Sequence, residues 1–236
     1  YHVNGGMRQQ DIKVSGDWKT IVVGTLGQGG QGYYSVDATD VSKFLSAGSM
    51  VKWEWTDQNN ALGGTANTSS AGLVGYAMNP PVIYNVRTSA STVVPAVIFS
   101  NGYQNGYDDI VSGGVKAASN SSHLFIVNAD TGALIKRIDL PTTGSYKSEG
   151  LSAPAVVDVG QDGIADYVYA GDVNGNMWRF DLIDDNPTNF KVGRNSTNDM
   201  VPIFQDPSKH PIVMRPGVMG VSKSDGTGIG NMVLFG

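Results

Sequence analysis

Between residues 153 and 192 the chain reads Ala153-Pro-Ala-Val-Val-Asp158, then Tyr167-Val-Tyr-Ala-Gly171, Met177-Trp-Arg-Phe-Asp181 and Phe190-Lys-Val192. These are four short apolar or aromatic runs separated by connections rich in Asp, Gly and Asn. That pattern describes four short strands joined by tight turns. The same order recurs along the chain. The second run has counterparts in Thr20-Ile-Val-Val-Gly24, Ala96-Val-Ile-Phe-Ser100 and Met232-Val-Leu-Phe-Gly236. The third has counterparts in Tyr33-Tyr-Ser-Val-Asp37 and Leu124-Phe-Ile-Val-Asn128, and the fourth in Val51-Lys-Trp-Glu-Trp55 and Ala133-Leu-Ile-Lys-Arg-Ile138. Pro-led runs stand in first place at Asn79-Pro-Pro-Val-Ile-Tyr84 and Pro211-Ile-Val-Met-Arg215.

Strand, strand, aromatic strand, strand is the blade of a β-propeller. A β-sandwich of unrelated strands is the competing architecture, but it gives no reason for order and end residues to recur together. The fold expected is therefore all-β, a quinoprotein-like propeller of four-stranded antiparallel blades. The predicted blades are 1–57, 79–140, 151–193 and 201–236, with 58–78 as an inter-blade loop and candidate binding segment. The first unit reads as missing part of its start, and the last as cut after its second strand. Closed propellers use about four to eight blades, so the chain reads as a fragment of a larger one.

Composition agrees. Gly supplies 31 of 236 residues and charged residues only 16%, which suits turns rather than long helices. The net charge of −5 argues against a nucleic-acid surface, where clustered Lys and Arg are needed. No Cys is present, which removes disulfides, thiolate metal sites and a Cys nucleophile. Tyr1-His2-Val3-Asn4-Gly5-Gly6 lacks the basic start and apolar run of a signal peptide, and no apolar run is long enough for a transmembrane helix.

Asp158-Val-Gly-Gln-Asp-Gly-Ile-Ala-Asp166 carries the most specific chemistry. Asp158, Asp162 and Asp166 fall at positions 1, 5 and 9 of an EF-hand-type loop, Gly163 at position 6, and the Ile164 carbonyl at position 7. Three carboxylates this close repel one another without a cation, and Ca²⁺ accepts oxygen ligands at loosely constrained angles. Two departures stand out: position 3 is Gly160, without a side-chain oxygen, and position 12 is Tyr169 rather than Glu. The competing reading is an Asp/Gly hairpin without metal.

Other motifs are weaker. Gly27-Gln-Gly-Gly-Gln-Gly32 matches G-x-G-x-x-G, but a strand rather than a helix follows, so it reads as a hairpin turn. His2, His123 and His210 are scattered and read as surface or turn residues. Gly150-Leu-Ser-Ala-Pro154 leads into a strand and is no nucleophile elbow. Asp108-Asp109 reads as an exposed acidic pair, and Asn67, Asn120 and Asn195 lie in N-x-[ST] sequons. Trp18, Trp53, Trp55 and Trp178 read as blade packing. No catalytic constellation is expected.

Several stretches together resemble one family, the PilC/PilY proteins of bacterial type IV pili. They are Gly29-Gly-Gln-Gly-Tyr-Tyr-Ser-Val-Asp37, Lys52-Trp-Glu-Trp-Thr-Asp57, Phe99-Ser-Asn-Gly-Tyr103, the Asp158–Leu182 block and the final Met232–Gly236. The resemblance implies a modified β-propeller and a secreted, non-enzymatic protein of a Gram-negative bacterium, at the outer membrane and pilus tip. It implies pilus assembly, opposition to retraction, adhesion and twitching, with pilus subunits and a host-cell receptor as partners. It implies Ca²⁺ held by Asp158, Asp162, the Ile164 carbonyl and Asp166, with Gly160 where the family usually has Asp or Asn. Two other functions compete: a quinoprotein-like enzyme, suggested by Leu124-Phe-Ile-Val-Asn-Ala-Asp-Thr-Gly132, and a glycan- or protein-binding propeller using the Asp57–Ala77 loop.

Overall fold

The computed structural model describes residues 2–45, 47–56, 74–103, 121–224 and 227–236. Among them are fifteen strands. The first sheet runs β1 (Met7–Val14), β2 (Asp17–Thr25), β3 (Gly32–Asp37), β4 (Val51–Thr56). The second runs β5 (Val82–Ser89), β6 (Thr92–Ser100), β7 (His123–Asn128), β8 (Leu134–Asp139). The third runs β9 (Ala155–Val157), β10 (Tyr167–Gly171), β11 (Asn176–Asp181), β12 (Lys191–Val192), with β13 (Phe204–Gln205) sharing the outer edge of β11. A fourth holds β14 (Gly217–Ser222) and β15 (Gly228–Leu234). Every pairing between these strands is antiparallel, and each sheet follows chain order. These are the blades expected of a propeller.

Two corrections follow. The first unit is not short of its start, because β1 pairs with β2 along its whole length, from Met7↔Gly24 to Val14↔Asp17. Pro211–Arg215 is not a strand. Instead Ile212 lies across the third blade, with its N–H donated to the Asp172 carbonyl and its side chain against Gly171. The first strand of the fourth sheet is β14. Loop residues 57–73 and the Asp108-Asp109 pair lie outside the described residues, as do Asn67 and Asn120.

Side chains alternate across a strand, and in the middle blade both faces are covered. Ala96 and Ile98 of β6 and Leu124 and Ile126 of β7 join Val168, Ala170, Trp178 and Phe180 of the third blade. The residues between them, Val97, Phe99, Phe125 and Val127, join Ile21, Val23, Tyr33, Trp53 and Trp55 of the first. Each core is thus shared by two blades, which explains why the central strands are continuously apolar. Burying a side chain such as Phe or Leu contributes about 2–3 kcal/mol. Trp18 is the exception among the tryptophans, at 65% exposed.

Polar ties cross the first seam. The Trp53 indole N–H donates to the Ala129 carbonyl at 2.9 Å, and that of Trp55 to the Gly132 carbonyl at 2.8 Å. Lys19 and Lys52 both grip Asp130, at 2.9 and 2.8 Å. Gly132 stands at φ 70°, and a Cβ there would meet Trp53 Cγ at 2.5 Å, so the turn closes on the indole only with glycine. At the far end, Arg215, just ahead of the fourth sheet, reaches back to the Pro80 carbonyl, 2.7 Å away.

Within the third blade, the fully buried Asp172 organises the turn between β10 and β11. Its Oδ1 accepts from the backbone N–H groups of Asn174 and Asn176. Its Oδ2 accepts from Asn176 Nδ2 and, at 2.8 Å, from Trp178 Nε1. Asp172→Ala would strand these donors in the interior, so a loss of about 3 kcal/mol is expected. Urea unfolding of the intact protein should show a lower midpoint at unchanged slope. A variant within about 0.5 kcal/mol of wild type, inside the usual spread for surface changes, would remove Asp172 from this role.

Candidate functional site

The acidic loop connects β9 to β10, and its turns come from the positive-φ residues Gln161 (54°) and Gly163 (80°). The loop organises its own carboxylates. Asp158 Oδ2 accepts from the Gly163 N–H at 2.7 Å and Oδ1 from the Asp162 N–H at 3.2 Å. Asp166 Oδ2 accepts from the N–H groups of Val159 and Gly160, at 2.7 and 3.2 Å, and Asp162 Oδ1 from the Ile164 N–H at 3.0 Å. Desolvation pushes the Asp158 carboxyl up, but the bonds from Gly163, Asp162 and Tyr84 outweigh it and hold the group below its ordinary range.

The loop does not project as a free hairpin. It lies along β5 of the neighbouring blade. Tyr84 donates its hydroxyl to Asp158 Oδ2 at 3.1 Å, and Asn85 Nδ2 donates to the Gly163 carbonyl at 3.0 Å. The Ala165 N–H donates to the Asn85 carbonyl, forming a parallel bridge between Asn85 and Ile164. Arg87 Nη2 meets Asp162 Oδ2 at 2.8 Å. Desolvation raises the Tyr84 phenol, and the bond to Asp158 and the fields of Asp158, Asp162 and Asp166 raise it further. The three carboxylates therefore share one negative region.

Among the described residues, no three His, Asp or Glu side chains stand arranged around a single point as metal ligands. The loop carboxylates are instead turned onto N–H donors and Arg87. The donor set is nonetheless all oxygen, the set that suits Ca²⁺ or Mg²⁺ rather than a softer ion. Arg87 already stands in as a cation at Asp162. A Cβ built on Gly160 meets only Asp162 Cγ at 3.9 Å and Asp158 Oδ1 at 4.0 Å. A side chain at position 160 would thus start in ordinary contact with two of the carboxylates, without a clash. It is the oxygen chemistry of the loop, and not a ready-made arrangement of its side chains, that suits a hard divalent cation.

The structure adds a polar constellation that sequence reasoning misplaced. His123 is not a surface or turn residue; it lies in β7 and is 5% exposed. Its Nε2 meets Ser121 Oγ at 2.7 Å and its Nδ1 meets Asp139 Oδ1 at 2.7 Å. Asp139 is its register partner on β8, and Arg137 bonds the same carboxylate at 2.7 Å. Ser121 is itself buried, so the chain of bonds fastens the β7–β8 edge. Asn101 extends it, accepting from the His123 N–H at 2.9 Å and donating to the Ser121 carbonyl at 2.7 Å. A signal was available: Asn101 and Asp172 each directly follow the second strand of their blades. His210 does sit in an exposed turn, against Asp206. Asn195 is engaged with Thr197 and Asp199.

Comparison with known proteins places these features in a family. Residues 1–209 match the family described as PilY1 beta-propeller domain. The type IV pilus biogenesis factor PilY1 of Pseudomonas aeruginosa strain UCBPP-PA14 is 32% identical over 210 residues, covering 88% of this chain and 15% of that protein. The PilY1 homolog of Xylella fastidiosa strain Temecula1 is 28% identical, covering 100% of this chain and 15% of that protein. The crystal structure of the Pseudomonas aeruginosa PilY1 C-terminal domain superposes with a TM-score of 0.71 at 25% identity, over 99% of this chain and 43% of that one. The chain therefore spans about a seventh of the length of the curated relatives it matches.

The His123 lock sets a pH dependence. The bond from His123, then that from Arg137, hold the Asp139 carboxyl at about 2 against its ordinary 3.8, despite desolvation. A depressed folded-state value means stability that is present above about pH 4 and lost as pH falls toward about 2. Asp139 is half exposed, so the contribution is screened to about 1 kcal/mol. Wild type should exceed Asp139→Asn by about that much near pH 5, and the gap should close near pH 2. A gap that stays constant across that range would contradict the assignment.

Proposed function

The chain belongs to the PilY1 β-propeller family, and on that premise we propose that it is a calcium-binding propeller segment of a type IV pilus biogenesis protein. In this reading the whole protein acts outside the cell, at the pilus tip and outer membrane. It promotes assembly, opposes retraction and supports twitching and surface attachment through contacts with pilus subunits and a host-cell receptor. One observation carries the calcium part: an all-oxygen acidic loop laid across the seam between two blades. The relatives named for pilus biogenesis support the assembly part. Among the described residues, no helix is long and apolar enough to cross a membrane.

Asp158, Asp162 and Asp166 would hold the cation with the Ile164 carbonyl. A divalent ion there would supply charge neutralisation, relieving the mutual repulsion of carboxylates that N–H donors and Arg87 now share. Asp158 and Asp166 sit at the two ends of the loop, so joint ligation would fix its span and the strand entry at Tyr167. Calcium would thereby stiffen a contact between blades, which is a physical route from ion level to the shape of the propeller's surface.

The test has a binding arm and a cellular arm. Calorimetry should show Ca²⁺ binding to the intact wild-type protein and none to an Asp158→Asn, Asp166→Asn double variant. Gly160→Asp, which adds a ligand oxygen at the position facing the other two, should bind about tenfold more tightly, since ligand charge count tunes such loops over decades. In cells, loss of the gene should abolish surface pili or twitching. Restoration with the double variant should shift the balance of extension and retraction. Flat calorimetric traces for both wild type and Gly160→Asp would end the calcium assignment, and normal twitching in the null strain would end the pilus assignment.

A further inference from the structure

We infer that Arg87 is a competitor for the cation, built into the neighbouring blade. Its guanidinium neutralises Asp162 when the loop carries no divalent ion, and it must hand that carboxylate over when an ion enters. The inference rests on the calcium reading above and adds a regulatory element to it. Arg87 belongs to β5 of the second blade, whereas every proposed ligand belongs to the third. Its Nη2 stands 2.8 Å from Asp162 Oδ2, one of the oxygens a cation would use. A second acid is in place to receive it: Asp185, on the connection after β11, has Oδ1 at 3.9 Å from Arg87 Nε. A modest swing therefore takes the guanidinium from one carboxylate to the other.

The sign follows from charge. A guanidinium bonded to a ligand oxygen lies within a few ångström of any ion that oxygen binds, and like charges repel. It also occupies a lone pair that the ion needs. Both effects lower cation affinity. The loop remains docked during the exchange, because Tyr84, Asn85 and the Ala165–Asn85 backbone bond do not involve Arg87. Ion occupancy is thus converted into the choice of partner made by one arginine at the blade seam. With Gly160 omitting one ligand oxygen and Arg87 adding a competing charge, the loop is set toward weak, readily reversible binding.

Calorimetry on the intact protein decides it, using Ca²⁺ and four forms: wild type, Arg87→Met, Arg87→Lys and Asp185→Asn. Arg87→Met keeps the apolar stem and loses the charge, so its affinity should rise roughly three- to tenfold, the scale of one surface charge removed from close range. The gain should shrink as ionic strength rises from about 0.02 to about 0.5 M, which a merely structural role would not produce. Arg87→Lys should stay within about twofold of wild type, since the charge is retained. Asp185→Asn should bind about twofold more weakly, because the displaced guanidinium loses its alternative partner. Binding seen only in Arg87→Met supports the inference. Equal or weaker binding by Arg87→Met, in a protein whose wild type binds, overturns it and leaves the calcium site standing. Silence in both overturns the inference, and silence in Gly160→Asp as well overturns the calcium site with it. An Asp185→Asn protein that binds like wild type overturns the transfer to Asp185.

Discussion

A propeller blade has no face of its own to give to water, and the rest of the molecule follows from that constraint. The strands β6 and β7 carry apolar side chains on both sides, with Ala96, Ile98, Leu124 and Ile126 on one and Val97, Phe99, Phe125 and Val127 on the other. Each hydrophobic cluster is completed by an adjacent blade, so no blade owns a core. A sheet separated from its neighbours would expose two apolar faces, and edge strands in that state are templates for unwanted pairing. Stability here belongs to seams. That explains why the polar ties concentrate there too: indole N–H groups of Trp53 and Trp55 reach across to carbonyls of the next blade, and two lysines converge on Asp130. Burial pushes the Asp130 carboxyl up, and the two lysines more than reverse this, keeping it ionised at the seam.

The second and third strands of each blade were legible in the sequence because burial on both faces forces continuous apolar runs. The first strand of the first blade was not. Met7–Val14 is largely exposed, burying Ile12 in a core and packing Val14 against it, so it carries neither an apolar run nor a leading proline. The run Pro211–Arg215 misled for the opposite reason. It shares the Pro-led pattern of first strands, but Ile212 is drawn out of sheet pairing by the Asp172 carbonyl and the hollow over Gly171. Asp172 and His123 were missed because local reading treats a polar residue at a strand end as a turn former. Their meaning lies in what they are buried against: Asp172 collects N–H groups from the next strand, and His123 links Ser121 to the Asp139 carboxylate on β8.

The acidic loop divides in the same way. Its carboxylates, its turn glycine and its empty third position could be read from spacing alone, since all lie within nine consecutive residues. Tyr84, Asn85 and Arg87 could not. They are more than seventy positions upstream of the groups they touch, and nothing in β5 marks it as the wall of an anionic loop. Only the stacking of one blade on the next brings a tyrosine hydroxyl and a guanidinium to those oxygens.

The location of the loop also decides what a change in its charge can do. Beneath Tyr84 and Arg87 the same two blades share Val86, Ala165 and Val168, all buried. A close-packed interior resists continuous deformation, so altered repulsion among Asp158, Asp162 and Asp166 is not absorbed by sliding the blades. It is expressed in the layer above, where side chains are half exposed and have alternative partners. A hairpin tip carrying the same three acids would dissipate the change in its own motion. Laid over a rigid seam and bonded to β5 at both side-chain and backbone level, the loop on the proposed reading would instead alter which residues of the neighbouring blade are engaged.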